Sequence, residues 1–288
     1  MSYATVADER PCTLGEGLLW HPRRQQLFWF DILQRRLLSQ HDGQPLEWSF
    51  EERVSAAAWI DADHLLIASE SALLNFDLRS GTHERVCALE ADNPMTRSND
   101  GRADPWGGFW IGTMGLQAQH EAGAIYRYYR GELRLLFPRI SISNAICFSP
   151  DRRFAYFGDT ARDRIWRQAL DALHGWPSGE PQLFIDCSGE GVHPDGAVVD
   201  SLGNLWNAQW GASRVACYDA SGQLLQVVSC PASQISCPAF GGPSLSTLFA
   251  TSARDGLASE RLAGEPHAGK LFMRAQAGTG QAEHQVVL

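Results

Sequence analysis

A strand–turn–strand unit recurs six times along this chain, and it constrains the fold more than any other feature. The copies lie at residues 17–31, 56–67, 104–113, 146–159, 197–206 and 239–251. Each reads as a short apolar run, a polar turn and a second apolar run, as in Gly17-Leu-Leu-Trp-His-Pro-Arg-Arg-Gln-Gln-Leu-Phe-Trp-Phe-Asp31. A third run follows most copies, in Ala124–Tyr129, Arg164–Trp166 and Arg214–Tyr218, and a fourth is visible in Gln223–Val228. The turn positions Pro22, Asp61, Pro105, Pro150, Ser201 and Gly242 fall about 40 to 50 residues apart. Six units of that length with four strands each describe an all-β, six-bladed β-propeller with four-stranded blades, spanning 1–288 as one domain. Radial repetition also hides sheet edges, so many strands coexist without exposed templates for aggregation.

The alternative is a β-sandwich or two smaller β domains, but no Pro/Gly/Ser-rich linker divides the chain. Helical periodicity is scarce; Gln168–His174 is the one stretch resembling a helical turn, and its place between strands makes it part of a loop. A ring must close, and the segment Tyr3–Ala7 is a candidate outer strand for the last blade. Composition narrows the class further. The 288 residues are 44% apolar, and the net charge of −9 is spread without a single-sign run. Phosphate binding needs a basic stripe, so nucleic acid is not an expected partner. No run of 18 apolar residues marks a membrane span, and the first ten residues lack the basic and apolar regions of a secretory signal. Seven scattered cysteines without a CxxC suit free thiols in a reducing cytosol; a Cys230–Cys237 bridge is the less favoured reading.

Six residues before each turn position stand Glu16, Ser55, Asn99, Asn144, Asp195 and Ser236. In a propeller the first strand of each blade lines the central channel, so these six side chains should ring one mouth of it. Four carry strong oxygen donors, two carboxylates and two carboxamides. Hard divalent cations take such oxygens, and Ca²⁺ tolerates irregular geometry. Glu16, Asn144 and Asp195 are therefore the expected metal ligands, and Ca²⁺, Zn²⁺, Mn²⁺ and Mg²⁺ all remain open. Taken alone, Asn99-Asp100-Gly101, Asn144 and Asp195 each read better as ordinary turn residues, since Asn, Asp and Gly dominate turns; Glu16 in Leu-Gly-Glu-Gly is not a typical turn acid, and the common register favours the ring. Arg97 lies two residues before Asn99 and, on an extended segment, shares its face, which aims it into the mouth toward an oxygen-rich substrate. His193 is expected to orient or pack beside the site rather than to bind a metal. Trp106 and Trp210 are candidates to reach the channel. No G-x-S-x-G elbow, Walker loop or H-E-x-x-H is present.

At these residues the chain resembles the SMP-30/gluconolactonase family, which includes regucalcin and sugar lactonases. The matching motifs are Leu14-Gly-Glu-Gly-Leu-Leu-Trp20, Arg97-Ser-Asn-Asp-Gly101 with Asp104-Pro105, Gly112-Thr-Met114 and Ser143-Asn144. Pro194-Asp-Gly196 with Val199-Asp200, and Ala239-Phe-Gly-Gly242 leading to Ala253-Arg-Asp-Gly256, complete the set over about residues 10–272. The resemblance implies a six-bladed propeller with a divalent cation at Glu16, Asn144 and Asp195. It further implies that Arg97 and Asn99 contact substrate and that Asp195 is general base toward the attacking water. One departure stands out. Regucalcin-like members carry an acidic residue three positions after Gly-Thr-Met; here that place is Gln117, with Glu121 nearby as a candidate substrate contact on a loop, 116–122, expected to cover the mouth.

The resulting expectation is a cytoplasmic, metal-dependent lactonase, monomeric or weakly oligomeric, that opens a small sugar-acid lactone to the aldonic acid. Two alternatives stay open on the same face: a phosphotriesterase-like hydrolase, and a calcium-binding propeller without catalysis.

Overall fold

The structure, a computed structural model that describes residues 2–288, is a six-bladed β-propeller of antiparallel four-stranded blades. The innermost strands are Gly15–His21, Val54–Trp59, Thr96–Ala103, Ser143–Phe148, His193–Val199 and Ile235–Gly241, one per blade in chain order. All six predicted turn positions fall in the hairpin turns that follow these strands. Within a blade, burial falls from the inside outward. In blade 1 every residue of Gly15–His21 and Gln26–Asp31 is buried, whereas the outermost strand Gln44–Ser49 is largely exposed.

Strand alternation feeds two cores from each blade. In blade 1, Leu18, Trp20, Leu27 and Trp29 face Ala239 and Leu271 of blade 6, while Leu19, Phe28 and Phe30 face Val54, Ile67 and Phe76 of blade 2. A period-two pattern with apolar residues at both parities is what a sheet sandwiched between two others requires. Six such clusters, one at each blade junction, hold the ring together.

Ring closure is double. Thr5–Asp8 supplies the outermost strand of blade 6, antiparallel to Leu271–Arg274. Ser2–Tyr3 adds a fifth, parallel strand to blade 5 through Leu224–Ser229. The closing strand thus begins two residues later than Tyr3, because that residue is already paired to blade 5. Gln168–His174 is not helical: Gln168 and Ala169 end a strand, Leu170 bridges to Pro177, and residues 172–174 form a turn. A one-and-a-half-turn helix, Ser259–Gly264, does occur in the long connection between the second and third strands of blade 6. All seven cysteines are free and six are buried, so Cys230 and Cys237 are not bridged. Among the described residues no helix is long and apolar enough to cross a membrane.

The channel is closed at one end by the segment after blade 6. Gln281 donates to the carbonyls of Phe148 and Val199, at 2.9 and 3.0 Å, and Val286 N donates to Trp59 O at 3.0 Å. That leaves one mouth, at the start of the innermost strands.

Candidate active site

Each innermost strand carries a register irregularity at the predicted slot: between Glu16 and Leu19, Val54 and Ala56, Ser98 and Gly101, Asn144 and Cys147, Pro194 and Ala197, and Ile235 and Pro238. A bulge re-aims a side chain out of the regular alternation. Here the equivalent bulges re-aim the slot residues, and four of them, Glu16, Asn99, Asn144 and Asp195, enter the channel mouth. The backbone cost is visible in blade 1. Gly17 sits at φ +59°, and a Cβ there would lie 2.1 Å from Ser55 O and 2.7 Å from the Phe30 ring, so only glycine follows Glu16. Ala145, after Asn144, adopts φ +58° despite its side chain.

The six slots do not behave alike. Ser55 donates to Ser98 Oγ at 2.8 Å and Ser236 to Gly15 O, so both serines tie neighbouring blades together. Glu16, Asn99, Asn144 and Asp195 line a cavity of about 370 Å³, with Arg97, Thr160, His193, Trp210 and Asp255 also in its wall. Leu14, Met114 and Ile142 supply an apolar side. Trp210 therefore reaches the site as predicted. Trp106 does not: its indole Nε1 donates to Ala172 O at 3.3 Å and its ring packs over Gly175, because the turn that carries it lies at the far end of the blade 3 hairpin.

Glu121 is not brought into the cavity wall. Its carboxylate is held at 2.5 Å by Arg162 Nη2 and its amide donates to Ser141 Oγ at 3.0 Å, which anchors the 116–122 loop beside the mouth. His193 lines the cavity with its Nδ1 2.7 Å from Asp163 Oδ1, an orienting contact. Three wall or sub-wall residues escaped the sequence reading. Thr160 and Asp255 lie outside the slot register. Asp100, one residue after Asn99, is buried beneath the cavity with its carboxylate accepting from Ile146 N at 2.7 Å.

The electrostatics are unusual for a buried cluster. Burial pushes Glu16 up to about 8, and repulsion from Asp100 adds to it while the Gly17 amide and Arg97 oppose it. Asp195 is raised well above the usual carboxylate range by burial, then by Glu16 and Asp100. Asp100 is raised to about 6, again chiefly by burial. Arg97 is lowered to about 10, because desolvation outweighs Glu16. Arg97 tempers Glu16 and Asp195, and Arg102 tempers Asp100, yet buried carboxylates outnumber the buried arginines around them. No group of three His, Cys, Asp or Glu with metal-binding geometry occurs among the described residues; the third oxygen donor at this mouth is the amide of Asn144. Two carboxylates and a carboxamide, desolvated together and short of positive charge, fit a hard divalent cation, which would reverse the local penalty on ionising them.

Fold and cavity together define a six-bladed propeller with an oxygen-donor pocket in one mouth of its channel. The family model for the SMP-30/gluconolactonase/LRE-like region matches residues 14–254, and the chain belongs to that family. It is 37% identical to L-arabinolactonase of Azospirillum brasilense, over 97% of this chain and 94% of that one. It is 34% identical to 6-deoxy-6-sulfogluconolactonase of Pseudomonas putida, over 91% of each. Among solved structures, that of a calcium-binding protein, regucalcin, from Agrobacterium tumefaciens superposes with a TM-score of 0.97 at 40% identity, covering 100% of this chain and 98% of that one.

Proposed function

We propose that the protein hydrolyses a sugar-acid lactone to the open aldonic acid, with a divalent cation held by Glu16, Asn144 and Asp195. The observation that carries this reading is the cluster of buried, mutually repelling oxygen donors facing one small cavity beside Arg97 and Asn99. The lactonase names of relatives matched along nearly their whole length support the substrate class. Ca²⁺, Zn²⁺, Mn²⁺ and Mg²⁺ all suit oxygen donors of this kind; Ca²⁺ has the additional support of the regucalcin neighbour.

The bound cation would supply Lewis-acid polarisation of the lactone carbonyl. Asp195 takes a proton from the attacking water, whose oxygen bonds to the carbonyl carbon. The acyl–oxygen bond of the ring then breaks, and the proton passes to the departing ring oxygen, so lactone plus water gives the hydroxy acid. General base assistance of this sort contributes ~10²–10⁴-fold. Arg97 and Asn99 hold substrate oxygens, and Trp210 with Met114 offers a flat apolar side to the sugar's C–H face. The free state of all seven cysteines suits a reducing compartment and supports a cytoplasmic setting.

The test is acid release from a panel of aldono-lactones, followed with a pH indicator, with and without chelator. Turnover of at least one lactone that stops in chelator and returns with a divalent cation is the expected result. Release from organophosphates alone would move the site to the phosphotriesterases, and silence toward every substrate despite cation binding would leave a binding module.

A further inference from the structure

A single directed hydrogen-bond chain runs around the mouth through blades 3, 4 and 5. Arg97 Nη1 donates to Asn99 Oδ1 at 2.7 Å. Asn99 Nδ2 donates to Asn144 Oδ1 at 3.1 Å and to Ser143 O at 2.8 Å. Asn144 Nδ2 donates to Thr160 Oγ1 at 2.7 Å, and Thr160 Oγ1 donates to Pro194 O at 2.6 Å. The direction is set from both ends, because a guanidinium can only donate and a carbonyl can only accept. Between those ends each carboxamide has one orientation that satisfies both neighbours.

We propose that Thr160 is a positioning residue for cation binding: its hydroxyl dictates which face of the Asn144 carboxamide, oxygen or nitrogen, is presented to the cation. The inference rests on the cation reading given above. Only a hydroxyl can perform both parts, accepting from Asn144 Nδ2 and donating to Pro194 O with the same atom. Its geometry is fixed by the backbone. Thr160 opens a short 3₁₀ turn, Thr160–Arg162, whose first turn is capped by Asp159 accepting from Ala161 N. Thr160 N donates to Ile142 O at 3.0 Å, and Asp159 also accepts from Ser141 N and Ile142 N, both at 3.0 Å. The hydroxyl is thereby held in the cavity wall. Through Pro194 O it also grips the residue immediately before Asp195, at the bulge that aims that carboxylate. One side chain that would never bind the cation thus orients one ligand and tethers the strand of another. Groups that orient metal ligands are commonly worth ~10–100-fold in affinity.

The experiment uses the full chain stripped of cation by chelator, titrated calorimetrically with Mn²⁺ alone. Thr160→Val keeps the shape and removes the hydroxyl; Thr160→Ser keeps the hydroxyl. Expected are a ~10–100-fold weaker Mn²⁺ affinity for Thr160→Val and near-parental affinity for Thr160→Ser. The decisive arm is the Asn144→Asp background. A carboxylate has no wrong way round, so Thr160→Val should there cost far less than in the parent. Cation-free thermal unfolding of all four variants checks folding independently. Unchanged affinity in Thr160→Val, or an equal loss in both backgrounds, overturns the positioning role and leaves the cation reading standing. Absence of Mn²⁺ binding by the unmutated chain overturns both.

Discussion

Glu283 and Arg102 form an ion pair sealed inside the channel at the end opposite the mouth, although 181 residues separate them in sequence. Both side chains are less than a tenth exposed, at 8% and 9%. Arg102 also donates to Ile146 O and Ala197 O, each at 3.3 Å, so its charge is shared among blades 3, 4 and 5. Removing one partner strands the other charge in a dry interior. Glu283→Ala is expected to destabilise the fold by about 3–5 kcal/mol, whereas converting both residues to leucine should cost much less. Urea unfolding of the single and double variants separates the two; equal losses would contradict the buried-charge explanation.

Asp195 has opposite effects on chemistry and on stability. Asp195→Asn keeps the shape and deletes a carboxylate that burial, Glu16 and Asp100 all oppose. Lactone hydrolysis should fall by ~10²-fold or more, while the melting temperature of the cation-free protein at pH 8 stays level or rises. Paired activity and calorimetry decide it, and a variant that is both active and unfolded more easily would contradict the assignment.

Cation-free protein should lose stability as the solution becomes more alkaline. Glu16 is raised from 4.5 to about 8 in the folded chain. Between those values the unfolded chain has released the proton and the folded chain has kept it, so unfolding is progressively favoured as pH rises through that window and levels off above it. Melting curves in chelator from pH 5 to pH 9 should show this decline. Glu16→Gln should remove Glu16's share of the decline and leave the part due to Asp195 and Asp100, and a divalent cation should restore the alkaline side.

Truncation of residues 1–10 removes the strand Thr5–Asp8 from blade 6 and leaves Leu271–Arg274 as a bare edge. A marked drop in melting temperature and rapid proteolysis within blade 6 are the expected outcomes. A truncated chain as resistant as its parent would show that the second closure, at blade 5, had never mattered either.

The parts of this architecture that repeat were readable from sequence, and the parts that do not repeat were hidden. Glu16, Asn99, Asn144 and Asp195 could be found because each stands six residues before a hairpin turn on a strand that lines the channel. Ser55 and Ser236 occupy the same slot, yet their short hydroxyls reach a neighbouring blade before they reach the axis. Thr160 follows the second strand of blade 4, outside that register, and only the folded turn carries it to Asn144. Asp100 resembled an ordinary Asn-Asp-Gly turn until the bulge directed it inward. Glu121 and Trp106 lie outside the cavity wall for a shared reason: loops obey local partners, Arg162 in one case and Ala172 in the other, that no periodicity announces. The helix Ser259–Gly264 is too short to leave a recognisable 3.6-residue pattern.

The closure of blade 6 by Thr5–Asp8 has a temporal consequence. On the ribosome, blades 1 to 5 can pair and stack as they emerge, but the sheet that receives the earliest residues is synthesised last. Glu16 belongs to the first blade and Asp195 to the fifth, so the two carboxylates meet across a gap that only the final blade spans. The repulsion between Glu16 and Asp195 therefore arises at the end of folding, after most of the apolar surface has already been buried. A cation that fills the pocket would act at that moment as a latch, holding together the two ends of a ring that had just come into contact.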